Sequence, residues 1–185
     1  MTATLLGIAG SLRRNSFNRT LLTAAGHELP SGARLVTWDG LAGVPPFDED
    51  AEDGPVPPAV AALRAAIAGA DALLVATPEY NGSVPGALKN ALDWASRPYG
   101  ASALSGRRAA VIGAGPGPNG AADAQADLRR VLTRAGAEVV AGPLPVPEAF
   151  RAFDEHGRLL DPALRAGLAA LLGDLRGPVA AEAAA

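Results

Sequence analysis

Short apolar runs alternate regularly along this chain with segments that have helical spacing, and this alternation limits the folds open to it. Apolar runs that predict strands cover about residues 3–9, 34–38, 72–77, 108–114 and 137–141. Helical patterns cover about residues 17–27, 57–69, from 84 onward, 120–135 and 161–175. Strands that alternate with helices in this way pair in parallel and are covered by helices on both faces. The chain is therefore predicted to be an α/β protein.

Two strand orders suit this alternation, the flavodoxin-like order 2-1-3-4-5 and the dinucleotide-binding order. A chain of 185 residues with five predicted strands favours the flavodoxin-like order. We predict one domain over residues 1–176, built on a five-stranded parallel sheet in the order 2-1-3-4-5, and a frayed alanine-rich tail over 177–185. The first and third strands are neighbours in this order, so the loops at their carboxyl ends are expected to line one crevice.

Composition excludes several kinds of chemistry. The chain has no cysteine and only two histidines, His27 and His156, so we expect no metal site and no thiol nucleophile. A net charge of −3 does not provide the basic face that nucleic-acid binding requires. No run approaches the ~18 apolar residues of a membrane span. The first apolar residues precede Arg13 and Arg14, whereas a signal peptide begins with its charges, so we expect a cytoplasmic protein with no membrane partner.

The loop after the first strand has the composition of a phosphate site. It runs from Gly10 to Asn18 and leads directly into a helix, whose first N–H groups suit anions. Ser11, Ser16 and Asn18 can each bond to phosphate, and Arg13 adds charge. Hydrogen bonds to a charged group are worth ~1.5–3 kcal/mol each, so several of them outweigh a helix dipole of ~0.3–1 kcal/mol. The loop lacks both GxxxxGK[ST] and GxGxxG, which disfavours nucleoside triphosphates and dinucleotides.

The loop after the third strand has the composition of a site for a flat ring. Two prolines and two glycines lie between Pro78 and Gly86, and they predict a rigid turn whose backbone groups cannot all pair with one another. Such a backbone suits a heterocycle with alternating donors and acceptors. Tyr80 adds an aromatic ring with a polar tip. A phosphate loop and a ring loop at adjacent strand ends together predict a mononucleotide site.

These segments resemble a known family. GSLRRNSFNRTLL (10–22) is similar to the phosphate loop of the NAD(P)H-dependent FMN reductases, and TPEYNGSVPGALKNALDW (77–94) to their isoalloxazine signature. The resemblance extends to FDEHGRLLD (153–161). It implies an FMN-dependent reductase that passes hydride from NADPH or NADH, through flavin N5, to quinones or other flat acceptors in a ping-pong cycle. It also implies a homodimer or a homotetramer.

The resemblance also implies which residues contact the flavin. No side chain is expected to act as a catalyst, apart from a minor role for the Tyr80 phenol. Relatives often have hydroxyl residues where this chain has Ala114, Gly115 and Pro116, and an aromatic residue where it has Gly82. The cofactor-binding residues that the resemblance implies are Ser11, Arg13, Ser16, Phe17, Asn18, Pro78, Glu79, Tyr80, Asn81, Ser83, Gly115 and Gly117.

Two other functions fit the same fold. A flavodoxin-type electron carrier needs a protein partner, and carriers have a strongly acidic surface and a phosphate loop without arginine. A net charge of −3 and the pair Arg13–Arg14 argue against that function. The other alternative is a flavin-free α/β enzyme that uses the phosphate site alone.

Overall fold

The computed structural model describes residues 2–52, 54–140 and 142–177. Gly177, predicted to be part of the frayed tail, closes the last helix by donating its N–H to the carbonyls of Gly173 and Asp174. The rest of the predicted tail lies outside the described residues. The strands and helices are, in chain order, β1 Ala3–Ala9, α1 Phe17–His27, β2 Ala33–Trp38, α2 Pro58–Ala68, β3 Ala72–Ala76, α3 Gly86–Ala95, β4 Arg108–Ala114, α4 Ala122–Arg134, β5 Glu138–Val139, β6 Leu144–Val146 and α5 Pro162–Arg176.

The sheet is parallel and has the predicted order, β2-β1-β3-β4-β5. Its fifth position differs from the prediction of one strand over 137–141, because two short strands share it. β5 pairs with the start of β4, and β6 pairs with its end, from Ile112 to Ala114. Gly142 and Pro143 separate the two, and proline cannot donate to a sheet ladder. Gln125, fully buried, accepts the Leu144 N–H at 2.9 Å beside this break.

Helices cover both faces of the sheet and form two cores. Alternate side chains of each strand point to opposite faces, so Leu5 and Leu74 pack on one side while Leu6 and Leu73 pack on the other. The first core contains the buried leucines of α1 and α5, and the second contains those of α2, α3 and α4. The continuous apolar character of β3 and β4 is thus explained by burial on both sides.

The segment over 39–56, between the second predicted strand and the second predicted helix, contains two short 3-10 helices, Gly40–Gly43 and Glu49–Ala51. Contacts from α3 hold it in place. The Asn90 side chain accepts the Phe47 N–H at 2.7 Å and donates to the Pro45 carbonyl at 2.8 Å, and Trp94 donates to that same carbonyl at 2.9 Å. Asn90 and Trp94 are more than 40 positions away from the residues that they hold, so the regular structure of this segment could not be predicted from local composition. Within the described ranges, no helix combines the length and apolar character that crossing a membrane requires.

Candidate functional site

The carboxyl ends of β1, β3 and β4 open into a cleft of about 440 Å³. This volume lies within the range of small-molecule sites, about 300–1,000 Å³. The cleft brings together the two loops singled out in the sequence and a third loop, 115–121. Asn81 and Ser83, although predicted to bind the cofactor, lie outside the lining. The lining residues are Ser11, Arg13, Ser16, Phe17, Asn18, Pro78, Glu79, Tyr80, Ala114, Gly115, Pro116, Gly117, Asn119 and Ala121.

The first loop is shaped by two buried serines. Ser16 is the N-cap of α1, and its hydroxyl oxygen accepts the N–H groups of Asn18 at 3.2 Å and Arg19 at 3.4 Å. The Ser11 hydroxyl oxygen accepts the Arg13 N–H at 3.3 Å. Both hydroxyl hydrogens remain available to donate into the cleft. The Arg13 guanidinium lies 4.8 Å from the centre of the Phe17 ring, so a cation–π contact places this positive charge at the same end of the cleft.

Asn18 has a role that its position in the sequence did not reveal. Its side chain is 2% exposed, donates to the Ala114 carbonyl at 3.0 Å and accepts the Ala114 N–H at 3.0 Å. The residue therefore joins the first turn of α1 to the end of β4. Because both amide groups are buried and bonded, Asn18 positions the walls of the cleft relative to each other.

The second loop contains a tight hairpin turn. Tyr80 and Ser83 exchange two backbone hydrogen bonds, at 3.0 and 3.1 Å. Asn81 and Gly82 between them have φ angles of 53° and 74°, the left-handed conformation that Asn-Gly turns favour. The turn leaves the Tyr80 side chain 52% exposed at the edge of the cleft. It also explains why Asn81 and Ser83 project beyond the lining.

Ser83 connects this hairpin to α4. Its hydroxyl donates to Asp127 Oδ2 at 2.7 Å. That hydrogen bond, with help from the neighbouring Arg130 at 2.8 Å, holds the pKa of Asp127 below its ordinary value, against a smaller opposing effect of desolvation. Since Asp127 follows Ser83 by 44 positions, no local motif in the sequence predicted the contact.

The third loop lines the cleft mainly with small residues. Segment 146–149 supports it: the Gly115 N–H donates to the Val146 carbonyl, and the N–H groups of Glu148 and Ala149 donate to the carbonyls of Gly117 and Gly115. Sequence reasoning missed Asn119 and Ala121, which follow in the same loop and also line the cleft. The Asn119-Gly120 dipeptide is the signal that marks this turn.

A second hollow, open and about 700 Å³ in volume, lies between α3 and α4. Leu92 and Val131 contribute apolar surface to it, and Tyr99 at its edge is 93% exposed. Lys89 and Asp93 also line it, and they form an ion pair at 2.7 Å. Across the part of the chain that the structure describes, no cluster of three or more histidine, cysteine, aspartate or glutamate residues has the arrangement of a metal site.

Comparisons with known proteins agree with this architecture. Residues 3–150 match the model of the NADPH-dependent FMN reductase family. The chain is 45% identical over 158 residues to an NAD(P)H-dependent FMN reductase of Pseudomonas aeruginosa, covering 85% of this chain and 84% of that protein. It is 47% identical over 124 residues to a 2-hydroxy-1,4-benzoquinone reductase of Burkholderia sp, covering 67% of each. The fold is similar to FerB, a flavoenzyme NAD(P)H:(acceptor) oxidoreductase of Paracoccus denitrificans, with a TM-score of 0.82, 32% identity and coverage of 95% and 97%.

Proposed function

Because this chain belongs to the NADPH-dependent FMN reductase family, we propose that it is an FMN-dependent oxidoreductase that passes electrons from NADPH or NADH to quinones or other flat acceptors. The observation on which the proposal rests is the meeting of the two predicted loops in one cleft at the ends of β1 and β3. Relatives named as quinone reductases support the acceptor class.

The cleft residues fit a flavin mononucleotide. One end combines the hydroxyls of Ser11 and Ser16 with the positive charge of Arg13, which suits a phosphate. The other end is bounded by Pro78 and by the backbone of loop 115–121, which offer flat apolar surface and main-chain groups to a ring. Because Ala114 and Gly115 carry no polar side chain, this wall would contact the ring through backbone groups.

The protein's contribution is binding and orientation. FMN held between the phosphate loop (Ser11, Arg13, Ser16) and the loop at Pro78 would supply the hydride-transfer chemistry, through its N5 and in a ping-pong cycle. The half-exposed Tyr80 ring at the edge of the cleft offers stacking surface to the nicotinamide and the acceptor in turn. We propose no general acid among the side chains, because no proton donor is needed to accept a hydride.

The purified protein is expected to show the absorbance of oxidised flavin and to lose it when NADPH or NADH is added anaerobically. With a quinone present and no other protein, it should oxidise NAD(P)H steadily. The measurement is an absorbance spectrum followed by the two anaerobic titrations and a steady-state assay. A colourless protein that fails to take up added FMN would favour the flavin-free enzyme, whereas a protein that turns over only with a protein partner would be a carrier.

We also propose that the protein assembles as a homodimer or a homotetramer. The open hollow between α3 and α4, with Leu92, Val131 and the 93% exposed Tyr99, is the surface that supports this proposal. Sedimentation of the purified protein is expected to give twice or four times the 18.5 kDa of one chain. A monomer at micromolar concentration would contradict it. A cytoplasmic location stays a prediction of the sequence.

A further inference from the structure

The Glu79 carboxylate connects two walls of the cleft. Glu79 belongs to the second loop, yet its Oε1 accepts the Asn119 side-chain N–H at 2.9 Å. Its Oε2 accepts the backbone N–H groups of Asp123 at 3.1 Å and Ala124 at 3.2 Å. Oε1 is thus bonded to the third loop, and Oε2 is bonded to the first turn of α4.

α4 depends on this carboxylate because it has no cap of its own. The residue before the helix is Ala121, in a left-handed conformation with φ 63°, and its side chain cannot accept a hydrogen bond. The first N–H groups of a helix lack partners within the helix and need an acceptor. Glu79 provides it from 44 positions earlier in the chain. The Ser83–Asp127 bond, one turn further along α4, ties the hairpin to the helix a second time.

The same carboxylate makes the cleft electrically asymmetric. Among the described residues that line it, Arg13 is the one cation and Glu79 the one anion, and they lie on different loops. The N–H groups at the start of α4 are already bonded to Glu79, so this helix end does not compete for an anion. This distribution of charge favours one orientation of a mononucleotide, with its phosphate near Arg13 and its ring between the second and third loops.

We infer that Glu79 is a positioning residue for the flavin ring. By joining the second loop to the start of α4, its side chain sets the spacing of the two walls between which the ring lies. The inference rests on the proposed function, because it assigns Glu79 to the ring end of an FMN site. It goes beyond the sequence prediction, which includes Glu79 among the cofactor-binding residues without a role for its side chain.

Binding of FMN and of riboflavin tests the inference. With flavin removed from the full-length protein, Glu79→Ala is expected to weaken the binding of FMN and of riboflavin by the same factor, about tenfold. The reason is that both ligands place the same ring between the same two walls. Glu79→Gln is expected to lose less affinity for both flavins, because its amide oxygen still accepts hydrogen bonds from the two backbone N–H groups. The control is Glu155→Gln, the same change at a side chain that is 86% exposed and outside the cleft, for which both affinities stay unchanged. Fluorescence quenching during titration measures both constants.

A second readout separates positioning from mere support of the fold. Removing a negative charge beside the flavin favours its reduction, so the midpoint potential of Glu79→Gln should rise. A residue that only stabilises α4 would lower the melting temperature and leave the potential and both affinities unchanged, which would overturn the inference. A loss confined to FMN would also overturn it. If Glu79→Ala does not fold, Asn119→Ala takes its place, because it removes one hydrogen-bond partner of the Glu79 carboxylate. The expected result is again an equal loss of affinity for FMN and riboflavin. Failure of the wild-type protein to bind either flavin would instead contradict the proposed function.

Discussion

Arg13→Ala combined with Ser16→Ala is expected to weaken FMN binding by about a hundredfold or more and riboflavin binding by less than about threefold. The two residues are assigned to the phosphate, which riboflavin lacks. Hydrogen bonds to a charged group contribute about 1.5–3 kcal/mol each, and every 1.4 kcal/mol is about a factor of ten in affinity. Titration of the flavin-free protein with each ligand, followed by fluorescence, measures the two losses.

Two controls make this experiment specific. Ser16 also caps α1, so Ser16→Ala alone costs about 1 kcal/mol of helix stability, an effect that both flavins share. Arg14→Ala removes the same charge one position later, at a residue outside the cleft lining, and is expected to change FMN affinity by no more than about twofold. Equal losses of FMN and riboflavin in the double variant would show that this loop does not hold the phosphate.

Gly120→Ala is expected to lower the free energy of unfolding by about 3 kcal/mol. Gly120 has a φ of 58°, a conformation that costs other residues about 1–2 kcal/mol. A Cβ atom there would lie 2.7 Å from the backbone nitrogen of Val146 and 2.8 Å from that of Pro147, and overpacking adds about 1–3 kcal/mol. Urea denaturation, read by circular dichroism, measures the change.

Gly106 provides the matched control for this substitution. Its φ is 66°, close to that of Gly120, but among the described residues no atom beyond its chain neighbours lies within 4 Å of the position that a Cβ would occupy. Gly106→Ala should therefore show the conformational effect alone, about 1–2 kcal/mol. If the free energy of unfolding falls equally in both variants, residues 146–147 shift to admit the new Cβ atom without a loss of stability. The third loop would then be less constrained than its contacts indicate.

The parts of this protein that were predictable are those encoded locally. β1, α1 and β4 have the predicted bounds because an apolar run or a helical repeat is visible within a few residues. The fifth position of the sheet was predicted as one strand over 137–141, whereas two short strands occupy it. Local sequence misled the prediction here. Pro143 and Pro145 indicate a loop when considered locally, yet Pro145 belongs to β6, at the edge of the sheet, where a missing N–H is tolerated.

The candidate site was predictable in outline and not in its connections. The composition of the loops at 10–18 and 77–86 indicated which strand ends to compare, and the structure places both around one cleft. The contacts of Asn18 with Ala114 and of Glu79 with Asn119 join residues 96 and 40 positions apart. A side-chain amide or carboxylate has many possible partners at such distances, and only the packed fold selects one.

The bridge between Asn18 and Ala114 has a consequence for the order of events during synthesis. Its two partners are separated by more than half of the chain, so these two walls of the cleft are joined only after β4 has been made and has docked. Closing such a long loop is a late and slow step in folding. A flavin that binds this assembled cleft and not the unfolded chain would add its binding energy to the stability of the whole domain.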